Sequence, residues 1–396
     1  MTSPISRAMV YGLGITTARM LVGATSAIYL LSSGLTLTDL GVLKAIQAAI
    51  VFLTDIPLGY LADKWGRSNV VRLSAVFNVA WLACTAFGRY KFIFFVAEGF
   101  NALAIALYSG AFNALLMNIY KRETGQDEYE HVLGRYNKWQ FGLMAGASFL
   151  GSVLAPPDSS FVWWCAALVI LMQLVLFNHI LPREEKVKTP SSSVGNALHS
   201  IIADFRAIYA VISSSVSIAL LSSAYILLAF VYQVLIQFWQ PLIGADQIAT
   251  YPGIFYGASF LSILAAQWLA ARYSERKVSG RSIIQCALAL VTAFAILAFF
   301  GQNLPIFSII GIICLTFFFI RLLTISLYAA FQRTQPESMW ATAESVLSAL
   351  SRVLLLFLLP VIGGISQQNG VMVLPAILLI ICLVACYLIL RFTKKS

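Results

Sequence analysis

Apolar residues in this chain come in long unbroken blocks of Leu, Ile, Ala, Val and Phe, separated by short polar segments. A helix crossing the hydrocarbon core needs about 20 mostly apolar residues. On that scale the blocks predict spans at 8–32, 38–61, 72–88, 92–118, 138–155, 161–181, 208–239, 249–271, 282–300, 305–330, 341–366 and 371–391. The alternation of about ten residues that marks a membrane β-barrel strand is absent. Backbone groups in lipid must all be bonded internally, so the remaining solution is helical. The fold class is therefore an all-α membrane protein of twelve transmembrane helices.

Composition agrees. The chain has 396 residues, 60% of them hydrophobic and 11% charged, with a mean hydropathy of +0.85. The first block has no small-residue cleavage site and another span follows at once, so it reads as a retained helix rather than a signal peptide. Cys84, Cys165, Cys286, Cys314, Cys382 and Cys386 all lie in apolar stretches without metal-ligand spacing and read as packing residues. His131, His179 and His199 are isolated, with no His-Glu-x-x-His pattern. No enzyme, metal site or cofactor is expected.

Charge sets the topology. With the amino terminus inside, twenty of the 26 basic residues fall in cytoplasmic segments, against Arg89 and Lys91 outside. Both termini are thus expected in the cytoplasm of an inner-membrane protein. The net charge of +10 reads as anchoring loops beside lipid, and nucleic acid is not an expected partner.

Gly59 to Arg67 read Gly-Tyr-Leu-Ala-Asp-Lys-Trp-Gly-Arg, between the second and third spans. With Gly59, Asp63, Gly66, Arg67 and the closing basic Arg72, this segment resembles the loop motif Gly-x-x-x-Asp-x-x-Gly-Arg of the major facilitator superfamily. The resemblance implies two six-helix halves around a central solute site. It also implies a gating latch from Asp63 and Arg67 to the start of the eleventh span. The polar stretch around Pro190–Gly195 divides the chain accordingly into 1–181, a cytoplasmic linker 182–206, and 207–396. At an offset of about 210, Arg272–Arg281 falls on Asp63–Arg72, keeping the basic charge but not the acid or the glycines. The drug-antiporter proline motif of the fifth span is incomplete: Gly142, Gly146 and Gly151 are present, but Ala147 stands where proline would be.

Ionisable residues inside a membrane are costly and mark function by default. Arg19, Lys44, Asp55, Glu98, Arg321, Glu344 and Arg352 fall within the spans. Lys44 and Glu98 lie roughly 9 Å from the outer face, where an ion pair is expected. Arg19 and Arg352 lie at roughly 16 Å, near midplane, with no acid at that depth. In proteins of this family the first, fourth, seventh and tenth spans line the cavity, which assigns Arg19, Glu98 and Arg321 to it. Arg19, Arg352 and Arg321 are the candidate solute-binding residues, and Asp55 and Glu98 the candidate proton carriers. The expected function is proton-coupled alternating-access transport of a small anionic solute, such as a carboxylate metabolite or siderophore, by a monomer. A multidrug/proton antiporter is the alternative carrier, and a non-transporting sensor or assembly factor is the alternative of a different class.

Overall fold

The computed structural model describes residues 3–125, 130–176, 180–181, 215–244, 251–274, 280–334 and 340–393, without the side chains of 55–56, 59–60, 63, 110, 130–131 and 340–346. Apart from two single 3-10 turns, the regular structure among them is α-helix. The helices are α1 (Pro4–Met20), α2 (Ser26–Ser32), α3 (Leu37–Trp65), α4 (Arg67–Phe87), α5 (Lys91–Thr124), α6 (Glu130–Leu154) and α7 (Phe161–Leu176). After the undescribed linker come α8 (Val216–Ile243), α9 (Pro252–Ser274), α10 (Gly280–Phe300), α11 (Ile306–Gln332), α12 (Trp340–Asn369) and α13 (Leu374–Thr393). Nine of the helices in the described residues are long and apolar enough to cross a membrane.

The first block departs from its expected form. It is broken into α1 and α2 by a turn at 21–25, Leu-Val-Gly-Ala-Thr, closed by short-range bonds from Gly23 N to Met20 O (3.0 Å) and from Thr25 N to Val22 O (3.3 Å). Gly23 weakens the helix there. Packing fixes the break: a Cβ added to Gly151 of α6 would lie 1.8 Å from the carbonyl oxygen of Leu21. Only a glycine permits that approach.

The motif segment also differs. Gly59 to Trp65 are helical and complete α3, and α4 begins at Arg67, so the connection is the single residue Gly66. Its φ of +90° is open to glycine and strained for other residues. At 29 and 34 residues, α3 and α5 measure roughly 44 and 51 Å, well beyond a 30 Å hydrocarbon core.

The Cα packing falls into two compact units. The first comprises Met1–Gly34, Ile46–His199 and Thr250–Leu261, and the second Leu35–Ala45, Ser200–Ala249 and Ser262–Ser396. Thus α3 and α9 each begin in one unit and end in the other. Within the first unit, α5 carries fully buried Ala97, Ala102, Ala104, Ala106 and Ala111, small residues that let neighbouring helices approach closely. Within the second, α8 is the central helix, burying Phe230, Val231, Val234, Leu235, Phe238 and Trp239 against α11, α12 and α13.

The beginnings of α3 and α9 are seated alike. In the second unit a Cβ at Gly41 would lie 2.5 Å from the carbonyl oxygen of Leu359, and Gln367 Oε1 accepts from Leu37 N at 2.9 Å. In the first, a Cβ at Gly253 would lie 2.1 Å from the carbonyl oxygen of Ser152. Gly41 and Gly253 are separated by about the offset of the sequence repeat.

Candidate functional site

Arg19 stands in the last turn of α1, at the break. The helix begins four residues before the expected start of the span, so Arg19 lies roughly 22 Å from the beginning of α1. At that level its guanidinium donates to Asn78 Oδ1 on α4 through Nη1, and to Asn101 Oδ1 on α5 at 2.7 Å through Nη2. It also lies 4.5 Å from the ring centre of Trp81. Asn101 turns its other end to the acid, donating from Nδ2 to Glu98 Oε1 at 3.1 Å.

Arg19 therefore has an acid in its neighbourhood, linked to it by one amide, contrary to the expectation of an isolated midplane charge. Three effects offset its desolvation. Hydrogen bonds to a charged group contribute about 1.5–3 kcal/mol each, the aromatic face about 2 kcal/mol when desolvated, and the carboxyl end of α1 favours a cation. Asn78, Glu98 and Asn101 are buried. Asn78 and Asn101 are neutral and do not stand out among the charged residues of the spans. Their signal was an amide in each of two adjacent apolar spans, where an unpaired polar group is expensive.

In the second unit, Arg321 on α11 is half-buried. It acts electrostatically on Tyr232 of α8, whose hydroxyl donates to Gln267 Oε1 of α9 at 3.0 Å and whose ring meets Phe317 edge-on at 5.8 Å. The Arg321 guanidinium has no hydrogen bond or ion pair to another described residue, while the Arg321 carbonyl accepts from Thr324 Oγ1 at 3.0 Å. Arg352 is half-buried on α12 and engaged by neighbouring groups.

The remaining expected residues are placed as follows. Lys44, on the part of α3 within the second unit, is half-buried and engaged. Asp55 and Asp63 lie on α3 and Glu344 on α12, with side chains outside the described part. Arg67 Nη1 donates to Ala114 O at 3.0 Å, tying the start of α4 to α5. Arg72 donates to Asn69 Oδ1 at 2.9 Å and to Leu181 O at 3.1 Å. Among the described residues Gly142 and Gly146 have nothing within contact distance of an added Cβ, so only Gly151 of that trio serves close helix packing.

The family model described as Major Facilitator Superfamily matches residues 8–343. No curated protein matches the chain. Among solved structures, the nucleoside transporter NupG is 15% identical, with 99% of each chain covered and a TM-score of 0.77. A bacterial homolog of the human lysosomal transporter Spinster, inward-facing and unoccupied, is 14% identical over 99% of this chain and 96% of that one, with a TM-score of 0.73. A structure concerned with substrate recognition in proton-dependent oligopeptide transporters is 12% identical, with 99% of each chain covered and a TM-score of 0.67.

Proposed function

Because the chain belongs to the Major Facilitator Superfamily, we propose that it is an inner-membrane secondary transporter that moves a small organic anion by proton-coupled alternating access. One observation carries the anionic class: Arg321 sits half-buried on a membrane helix with no hydrogen bond from its guanidinium to another described residue. A guanidinium in that position offers a planar fork of donors to a carboxylate or phosphate. Tyr232, which Arg321 reaches electrostatically, donates its hydroxyl proton to Gln267 Oε1 and keeps its hydroxyl oxygen as an acceptor for a second polar group of the solute.

The first unit supplies the coupling in this reading. Glu98 is the proton carrier, and Asn101 conveys its charge state to Arg19. Asp55 remains the second candidate carrier, and Arg352 a second basic contact. Asp63 and Arg67 form the latch on the cytoplasmic side.

A thermal-shift panel tests the anionic class. Mono- and dicarboxylates should raise the melting temperature of the purified protein, and their amides should not. Stabilisation by the neutral amides alone would contradict the reading, and stabilisation by large apolar cations would place multidrug export ahead of it.

A further inference from the structure

A groove of about 640 Å³ opens in the first unit where α3 ends and α4 begins, with α7 along its side. Its rim is basic, from Lys64 and Arg72, and its floor apolar, from Leu73, Val76 and Leu174. Trp65 stands beside the rim, 52% exposed. We propose that this groove seats one anionic phospholipid of the cytoplasmic leaflet, its phosphate between Lys64 and Arg72 and its first methylenes along the floor.

The gradient of chemistry along the groove carries the assignment. Lys64 is exposed and makes no hydrogen bond or ion pair with another described residue. Arg72 is held in place by its bonds to Asn69 Oδ1 and Leu181 O, so the rim has one anchored guanidinium beside the exposed Lys64 ammonium. Val76 lies one helical turn beyond Arg72, roughly 6 Å further along α4, and is 51% exposed. Leu168, Met172 and Val175 continue an exposed apolar face along α7. A soluble anion would leave that face in water, whereas an acyl chain covers it. Trp65 matches the position of an interfacial aromatic, apolar in body and polar at the ring nitrogen. Assignment to the cytoplasmic leaflet rests on the proposed topology, and that leaflet carries the anionic headgroups that basic side chains attract.

Native mass spectrometry of the full chain, released from micelles holding equal phosphatidylglycerol and phosphatidylcholine, tests the site. Orientation plays no part in micelles, so a failure here is distinct from a failure of the topology. The wild type should retain phosphatidylglycerol in preference to phosphatidylcholine. Lys64→Gln should lower that retention about fivefold, the share of one basic residue near a charged headgroup. Val76→Trp fills the floor without altering charge and should lower it as well. Equal retention of both lipids, or unchanged retention in either variant, would overturn the proposal. So would displacement of the lipid by millimolar inorganic phosphate, which would make the rim a plain anion site.

Discussion

Two arginines of the same kind sit within apolar helices and have opposite surroundings. The Arg19 guanidinium is engaged by Asn78, Asn101 and the face of Trp81, whereas the Arg321 guanidinium has no hydrogen bond to another described residue. The proposed function accordingly gives Arg19 a structural and coupling role and Arg321 a solute-holding role. Lysine separates them, because it keeps the charge and loses the planar fork. Arg19→Lys should lower the melting temperature by several degrees, since it leaves buried amides of α4 and α5 short of a donor. Arg321→Lys should leave melting nearly unchanged and weaken solute binding roughly 10- to 100-fold, the equivalent of one charged hydrogen-bonding contact. Loss of stability in Arg321→Lys with intact binding would reverse the two roles.

At the level of helices, the break between α1 and α2 positions the first-unit network, and Gly151 holds the break. Gly151→Ala would drive a methyl group into the carbonyl of Leu21 and should destabilise the protein by about 1–3 kcal/mol. The check is chemical denaturation in micelles, with Gly142→Ala, where nothing lies near an added Cβ, expected to behave as the wild type. A fully stable Gly151→Ala would mean that the turn at 21–25 is held by its own sequence.

That sequence also explains what could be read in advance. The all-helical membrane class was legible because burial in lipid demands long apolar runs with their backbone bonded internally. Leu-Val-Gly-Ala-Thr is itself apolar, so the break left no mark in the hydrophobic pattern, and the glycine it packs against lies 130 residues away. Gly66 was legible as a motif residue, but only its φ of +90° reveals that the connection is one residue long. Arg19, Glu98 and Arg321 were legible from charge alone. The amides that join Arg19 to Glu98 were not, because neutral polar residues in a span have many packing roles.

For the whole molecule, the proposed function is transport of one anionic solute. Family membership supplies the fold, and the repeat offset shared by Gly41 and Gly253 accords with two related halves. Solute class and movement are separate claims, and binding alone would also suit a sensor that transports nothing. Counterflow in proteoliposomes addresses both at once. Vesicles loaded with an excess of an unlabelled carboxylate, selected by the thermal-shift panel, are diluted into a trace of the labelled compound. The account predicts a transient accumulation of label above equilibrium that is lost in Arg321→Gln and absent for the corresponding amide. Binding of the carboxylate without any overshoot, or an overshoot for the neutral amide that Arg321→Gln leaves intact, would contradict it.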